Sequence, residues 1–231
     1  MGGKKSCESS SESPSSNTSN SSNGSEKKEQ RLRNFYRGNH ELFAKTFFSA
    51  HCRLDWSELH QHIFKRYAEK TAAPLPERRG EVDVILAPRG AAKSTLVSLI
   101  LPIHALLYET EGFIVLISAT MRQATKRLSS IKSALLSEGP IKKIFGEKLR
   151  RLTHHSARSI ELDGRRLEAY SAGTELRGIS CGPWRPTWII LDDVERSERT
   201  RVAEHREALA DWFREVIENL GDRYTNIEMY I

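Results

Sequence analysis

Short apolar segments alternate with helix-like segments along the second two-thirds of the chain, and this alternation is the strongest constraint on the fold. The apolar segments lie at residues 82–87, 113–118, 187–191 and 226–231. A strand buried on both faces is apolar along its whole length, whereas a strand with one wet face alternates. The pattern therefore predicts an α/β three-layer sandwich, a mostly parallel sheet with helices on both faces. Because nothing follows the last segment, we expect the sheet to be incomplete at the C-terminus.

Capping and turn signals locate the other elements. Helices are predicted to begin after Ser57, at Lys93, after Thr120 and at about Arg201. Ser and Thr are frequent N-caps because their side-chain oxygens accept from unpaired N–H groups of the first helical turn. Residues 158–170 alternate around Asp163-Gly164, a dipeptide typical of two-residue turns, and predict a β-hairpin.

Composition divides the chain into three parts. Residues 1–28 are mostly Ser, Asn, Glu, Lys and Gly, and Thr18 is their one β-branched or aromatic residue. Such a segment cannot bury enough apolar surface to offset the entropy lost on ordering. We predict a disordered Ser-rich tail at residues 1–28, a helical segment with a linker at residues 29–80, and the core domain at residues 81–231.

Charge and cysteine usage restrict the class of protein. The net charge is +6, of which the tail, with four Lys against three Glu, supplies only +1. A basic folded part favours a polyanionic partner, and a mildly basic surface without a partner is the alternative. Cys7, Cys52 and Cys181 form no Cys-x-x-Cys pair, so neither a disulfide framework nor a zinc site is expected. Without a signal peptide or an apolar span of ~20 residues, we expect a cytoplasmic protein with no membrane partner.

The segment between the first strand and its helix carries a phosphate-binding pattern. The P-loop consensus places Gly-x-x-x-x-Gly-Lys-[Ser/Thr] between a strand and a helix. When the chain is aligned on Lys93, alanine stands at both positions where the consensus has glycine. The residues expected to contact nucleotide are Ala87, Pro88, Arg89, Gly90, Ala91, Ala92, Lys93, Ser94 and Thr95. Small residues let backbone N–H groups approach phosphate oxygens, and the helix N-terminus adds a partial positive charge. We predict a P-loop NTPase core in which Lys93 binds the β/γ-phosphates of ATP and the Ser94 hydroxyl binds Mg²⁺. The alternative is an ordinary strand-to-helix turn with an exposed lysine.

Arg89 stands inside this loop and has two interpretations. Its cation either lies over the γ-phosphate, where negative charge develops during phosphoryl transfer, or is a solvated loop charge. We favour the first interpretation because of the position of the residue within the loop.

The apolar segment at residues 187–191 ends in two adjacent carboxylates, Asp192 and Asp193. An acidic residue at the carboxyl end of a strand is what a Walker-B segment needs, and we predict that Asp192 holds Mg²⁺, partly through water. A second carboxylate is expected to orient and deprotonate the attacking water. Asp193 and Glu195 compete for that role; Asp193 is favoured by position. Acids that cap the following helix are the alternative, which suits Glu198 better than the strand-end pair.

Four blocks together resemble the ATPase domain of the large terminase subunits of tailed phages. They are Ala87-Pro88-Arg89-Gly90-x-x-Lys93-Ser94-Thr95, then Phe113–Ser118, then Leu176-Arg177-Gly178, then Ile189–Glu195. The resemblance covers residues 40–231. It implies a DNA-packaging motor whose partners are double-stranded DNA, a portal, the small terminase subunit and other terminase copies. It also implies Walker-A roles for Arg89, Lys93 and Ser94, and magnesium binding for Asp192.

The resemblance suggests two further sites and two departures. Gln61 is the candidate for the family's adenine-side glutamine, with a plain helix-surface residue as the alternative. Arg177-Gly178 either faces DNA or nucleotide or is an exposed turn. The alanines of the phosphate loop depart from the family pattern, and so does the end of the chain, because the coupling motif and the nuclease domain would lie beyond Ile231. We therefore expect a fragment, a split gene product or a prophage remnant without nuclease activity.

Two classes of function remain open from the sequence. The first is a magnesium-dependent ATPase of a packaging motor, or of another branch of DNA translocases. The second is a remnant that binds nucleotide or DNA without turnover. The segment after Asn219 separates them, since a stably paired strand there would support the nucleotide site.

Overall fold

The computed structural model describes residues 19–88, 90–195 and 203–231. Its helices are α1 (Ser19–Arg37), α2 (His40–Phe47), α3 (Glu58–Thr71), α4 (Lys93–Thr95), α5 (Leu101–Tyr108), α6 (Met121–Leu136), α7 (Pro140–Leu149) and α8 (Ala203–Trp212). Its strands are β1 (Val82–Ile85), β2 (Phe113–Ser118), β3 (Leu152–His155), β4 (Ser159–Leu162), β5 (Arg165–Ser171), β6 (Trp188–Asp192) and β7 (Asn226–Tyr230). Across these three ranges, no helix has the length and apolar character needed to cross a membrane.

The strands form a seven-stranded sheet in the order β1-β7-β6-β2-β5-β4-β3. The first five strands in that order pair in parallel, and β4 and β3 continue the sheet in antiparallel pairing. The predicted mixed α/β fold with a mostly parallel sheet is thus confirmed. The predicted final strand is β7, which pairs with β1 on one side and β6 on the other.

The central strands β2 and β6 are buried on both faces, as their continuous apolar sequences predict, whereas the edge strand β1, also predicted to be buried, exposes Val82 and Val84 because it has a neighbour on one side only. Along β2, Ile114 and Leu116 belong to one apolar cluster, whereas Phe113, Val115 and Ile117 belong to another. The first cluster contains buried residues of α2, α3, α5, α6 and α7, and the second contains Val216 and Ile217 from the π-helical turn after α8. Helices therefore cover opposite faces of one sheet.

The first helix begins earlier than the composition predicted. We expected no ordered structure up to residue 28, but α1 starts at Ser19, so residues 19–28 are helical; the expectation for residues 1–18 lies outside the described part. Glu, Lys and Gln dominate residues 26–30 and have good helix propensity, which low hydrophobicity alone does not reveal. The end of α1 is attached to the core, because Arg33 Nε donates to the carbonyl of Ile144 at 2.7 Å.

The helix that follows β1 contains a widened turn. Residues 96–100, between α4 and α5, form a π-helical turn that buries all five side chains. Pro102 lies just beyond it and has no N–H to donate to the carbonyl of Ser98, so the regular hydrogen-bond pattern is interrupted here. The turn directly follows the phosphate-binding segment and α4.

Helix α3 is fixed to the edge of the sheet by an ionic network. The buried ammonium of Lys70 lies 2.6 Å from Asp83 Oδ2 on β1 and 2.7 Å from Glu228 Oε1 on β7. Arg66 adds a contact of 3.2 Å to the same Asp83 oxygen. Paired burial offsets the cost of removing these charges from water. The network therefore holds α3 beside β1, with its N-terminal turn at the carboxyl end of that strand.

Several predicted local features are confirmed. Strand β2 occupies the predicted residues 113–118. Thr120 is the N-cap of α6, and its hydroxyl accepts from the N–H of Gln123. The hairpin β4–β5 turns at Asp163 and Gly164, both with positive φ, as a two-residue primed turn requires.

Candidate phosphate and metal site

The segment between β1 and α4 is a loop of small residues at the carboxyl edge of the sheet. Gly90 has φ 85° and Ala92, the N-cap of α4, has φ 52°, so two residues adopt left-handed conformations. Gly90 adopts this conformation without strain, whereas Ala92 has a Cβ that disfavours it by roughly 1 kcal/mol. The Lys93 ammonium turns back over the loop and donates to the carbonyl of Ala87 at 3.2 Å. Ligands of open α/β sheets bind at this edge.

The loop and the acidic strand end meet directly, although β7 lies between their strands. Ser94 Oγ donates a hydrogen bond of 2.8 Å to Asp192 Oδ1. Asp192 is 1 % exposed and Ser94 is half-buried. The two residues predicted to bind the metal are thus brought together from positions 98 residues apart. Their roles stay predictions.

Two residues that the sequence did not point to complete the surroundings of Asp192. Ser98, fully buried in the π-helical turn, donates to Asp192 Oδ2 at 2.7 Å. Arg127 Nε on α6 lies 3.4 Å from the same oxygen. Two hydroxyl donors and one guanidinium therefore stabilise a carboxylate that would otherwise be costly to bury.

A histidine of α3 supports the phosphate-binding loop. His60 Nδ1 accepts from the N–H of Ser57 at 3.2 Å, which leaves the proton on Nε2. Nε2 therefore donates to the carbonyl of Ala91 at 2.8 Å. Its neighbour Gln61, our candidate for an adenine contact, is exposed on α3, and that role remains a prediction. The contact of α3 to the loop is thus made by His60.

The two candidate bases lie on the chain just after β6. Asp193 has φ 55°, its N–H donates to the carbonyl of Tyr230 and its carbonyl accepts from Ala119. These bonds fix the backbone while the Asp193 side chain is exposed. Glu195 is also exposed and lies beside an apolar groove of about 400 Å³ that includes Trp212 and Phe213. Both carboxylates face solvent, so the choice between them stays open.

Of the remaining residues predicted to belong to the site, some lie within the described part of the structure and others do not. Arg89 and Glu198 lie outside the described residues. Arg177 is exposed, its Nε is 3.4 Å from Glu175 Oε1, and Gly178 follows with φ 79°. The local geometry of Arg177-Gly178 is that of an exposed turn. Ala87, Ala91 and Thr95 are half-buried and Pro88 is exposed, in keeping with a loop whose backbone is accessible on one side.

The donor set around Asp192 fits a magnesium ion. Carboxylate and hydroxyl oxygens are the hard ligands that Mg²⁺ prefers, and it is usually bound by one or two carboxylates with waters and substrate phosphates. A hydroxyl that donates its proton to Asp192 keeps lone pairs for a cation, so the Ser94–Asp192 hydrogen bond is compatible with metal binding. Among the described residues, no cluster of three or more His, Cys, Asp or Glu side chains forms an all-protein metal site.

Part of this arrangement had a signal in the sequence. Ser98 lies four residues after Ser94 on the same helix, a spacing that places two side chains on one face. His60 stands three residues after the N-cap Ser57, the spacing of a capping box. Arg127 had no local signal, because its contact depends on how α6 packs beside β6.

Comparison with known proteins gives a structural similarity but no match to a sequence family. No protein-family model matches the sequence, and no curated protein matches it. Among solved structures, the chain is similar to the crystal structure of the N-terminal domain of the DNA packaging ATPase from bacteriophage phi29. The sequence identity is 16%, the TM-score is 0.35, and the alignment covers 68% of this chain and 75% of that chain. At this TM-score we draw no conclusion about activity or partners from the similarity.

Proposed function

We propose that this chain is the ATP-binding and hydrolysing domain of a viral DNA-packaging motor, a terminase large subunit of the P-loop NTPase class. The observation that carries the proposal is the 2.8 Å contact between Ser94 of the phosphate-binding loop and Asp192 at the end of β6. This contact brings the expected magnesium ligands of the loop and of the strand end within reach of one ion. The motif blocks in the sequence supply the choice of a packaging motor over other ATPases.

The residues of the loop would bind the triphosphate. Backbone N–H groups of the loop and of the first turn of α4 would offer donors to phosphate oxygens, except that of Ala91, which donates to the carbonyl of Pro88. Lys93, now bonded to the carbonyl of Ala87, needs only a side-chain rotation to move its charge to the β/γ-phosphates. Ser94 and Asp192 would hold Mg²⁺, which when bound neutralises phosphate charge and polarises the γ-phosphate.

Hydrolysis also requires a group that orients water. Asp193 or Glu195 would accept the proton of the attacking water, since both lie exposed directly after Asp192. The fixed backbone of Asp193 favours it, because a preorganised base needs little reorganisation. The net charge of +6 suits double-stranded DNA as a partner, and the portal, the small subunit and other copies of the motor complete the proposed assembly.

Ligand-dependent stability tests the nucleotide site. At 100 times the dissociation constant, Mg²⁺·ATP stabilises a binding protein by about 2.7 kcal/mol, which raises the melting temperature measurably. We expect Lys93→Ala to lose this shift and Lys143→Ala, an exposed lysine on α7, to keep it. A full shift in Lys93→Ala would place nucleotide elsewhere and overturn the proposal.

One observation favours the second candidate, a nucleotide-binding domain without turnover. The guanidinium of Arg127 already compensates the charge of Asp192. This cation opposes binding of the Mg²⁺ ion on which turnover depends, whereas the loop and Lys93 can still bind the nucleotide. Release of inorganic phosphate from ATP, measured with Mg²⁺ and again in its absence, separates the candidates: magnesium-dependent turnover supports the ATPase, and binding without turnover supports the second.

A further inference from the structure

A basic cavity lies at the opposite edge of the sheet from the phosphate-binding loop. It has a volume of about 780 Å³ and is lined by residues that include Arg37, His40, Arg78, Glu109, Arg165 and Trp184. Arg165 opens β5, Arg78 precedes β1 and Trp184 precedes β6, so the cavity is at the amino ends of parallel strands. This volume is in the range of cavities that bind small ligands.

The guanidinium of Arg165 packs against an aromatic ring, but one of its N–H donors has no acceptor within the described structure. Its central carbon lies 5.0 Å from the centroid of the Trp184 ring. Arg165 Nη1 is buried and has no hydrogen-bond partner within the described structure. A buried donor without an acceptor costs about 1–3 kcal/mol, so a native structure that keeps one has a reason for it, such as an absent ligand.

The Trp184 ring that orients Arg165 is itself fixed. Its backbone N–H and carbonyl pair with Cys181 at 2.9 and 2.8 Å. The ring packs directly on Gly112, where an added Cβ would lie 2.5 Å from ring atoms. The glycine is therefore required by the close approach of the indole. Arg165 is thus preorganised, and little entropy would be lost when it binds an acceptor.

The cavity has an excess of positive charge, which favours an anionic ligand. Glu109 is paired with Lys148, and Glu111 is paired with Arg78 at 2.7 Å. Arg37 and Arg165 form no salt bridge among the described residues, although Arg37 Nη2 donates to the carbonyl of Tyr108. The hydrogen bond from Lys148, with smaller contributions from Arg165 and Arg37, lowers the pKa of Glu109. His40 adds no positive charge at neutral pH, because burial lowers its pKa to about 4. Two guanidiniums are therefore left without a paired carboxylate.

We propose that this cavity binds a phosphate group through Arg37 and Arg165. A phosphate has three oxygens that are free to accept, so it can bond two separate guanidiniums at once, and arginine is the residue best suited to such recognition. The phosphate comes either from a nucleic-acid backbone or from a small free anion. The site is independent of the nucleotide site, because it lies at the other edge of the sheet.

The experiment uses the full chain with Lys93→Ala, so that the phosphate-binding loop does not contribute. Binding of inorganic phosphate is measured by calorimetry, and binding of a short DNA duplex by fluorescence anisotropy. We expect Arg165→Gln to weaken one of these affinities by about tenfold, the effect of losing one charge-assisted contact. Arg37→Gln should weaken the same affinity. Because Arg37 is exposed, we expect this variant to fold normally, so misfolding would not explain a loss of affinity.

The outcomes distinguish the source of the phosphate. Loss of phosphate binding alone assigns the cavity to a small anion, and loss of duplex binding assigns it to a nucleic-acid backbone. Arg150→Gln, at an exposed arginine that is not part of the cavity lining, is the matched control and should leave both affinities unchanged. Unchanged affinities for both probes in Arg165→Gln and Arg37→Gln would overturn the inference. None of these results depends on whether the chain hydrolyses ATP.

Discussion

Ser94 and Ser98 donate to the same carboxylate over almost the same distance, 2.8 and 2.7 Å, yet we expect their alanine variants to differ. Ser98 is fully buried, so no water can replace its hydroxyl. A hydrogen bond to a charged group contributes about 1.5–3 kcal/mol, and we expect Ser98→Ala to cost about 2 kcal/mol of unfolding free energy. For a domain of this size, that corresponds to a fall of roughly 4–8 °C in melting temperature.

Ser94 is half-buried, and water can take the place of its hydroxyl. We expect Ser94→Ala to cost only ~0.5–1 kcal/mol, the net value of an ordinary hydrogen bond. If its hydroxyl is a magnesium ligand, the variant should lose the magnesium-dependent part of nucleotide affinity. Ser98→Ala should keep most of that part, because its hydroxyl points to the oxygen of Asp192 that faces away from Ser94.

Two measurements on each variant test this partition. Urea unfolding gives the free energy of unfolding, which can be compared between variants if its dependence on urea concentration, the m-value, is the same for each. Titration with a fluorescent ATP analogue, with and without Mg²⁺, gives the metal-dependent affinity. A Ser98→Ala variant as stable as the wild type would refute the buried hydrogen bond. A Ser94→Ala variant with normal metal dependence would refute the assigned ligand.

Two further predictions concern buried charges. Arg127→Gln removes a cation near Asp192, so we expect it to strengthen the binding of Mg²⁺ to the nucleotide-free chain, as measured by calorimetry. Arg122→Gln, which changes an exposed arginine of the same helix, is the control. Weaker binding of Mg²⁺ in Arg127→Gln would contradict the reasoning. Burial raises the pKa of the Glu111 carboxyl from 4.5 to about 7. Between these pH values the native chain holds a proton that the unfolded chain has lost, so the native state loses stability as the pH rises towards and through 7. The free energy of unfolding of the wild type, minus that of Glu111→Gln, should therefore fall between pH 4.5 and pH 7, and a constant difference would refute the assignment.

The fold was predictable wherever one chain segment contained its own signal. Five consecutive apolar residues followed by Ser118 predicted β2 to the residue, and Asp163-Gly164 predicted the hairpin. Strand β1 was predicted to reach residue 87 but ends at Ile85, because it is an edge strand whose last residues turn into the loop. Strand β3 was missed; it is short, and its pairing with β4 includes a register shift.

The candidate site was predictable only in its contiguous parts. Lys93 and Ser94 belong to one short segment and Asp192 ends another, so motif spacing could locate them. Ser98 and Arg127 reach Asp192 through tertiary packing, the first across a π-helical turn that Pro102 interrupts and the second from α6. The spacing of Ser98 from Ser94 indicates a shared helix face, but not that this face packs against Asp192.

The separation between the phosphate-binding loop and Asp192 is set by β7. Parallel strands lie about 4.8 Å apart, so β1 and β6, with one strand between them, are separated by roughly 10 Å. The start of α4 must cross the end of β7 for Ser94 to reach Asp192. Backbone bonds keep this distance: Ala87 N–H donates to the Ile231 carbonyl, and Asp193 N–H donates to the Tyr230 carbonyl. Both halves of the proposed site are thus attached to the same strand, and a change that unpairs β7 should weaken nucleotide binding even though β7 supplies no ligand of its own.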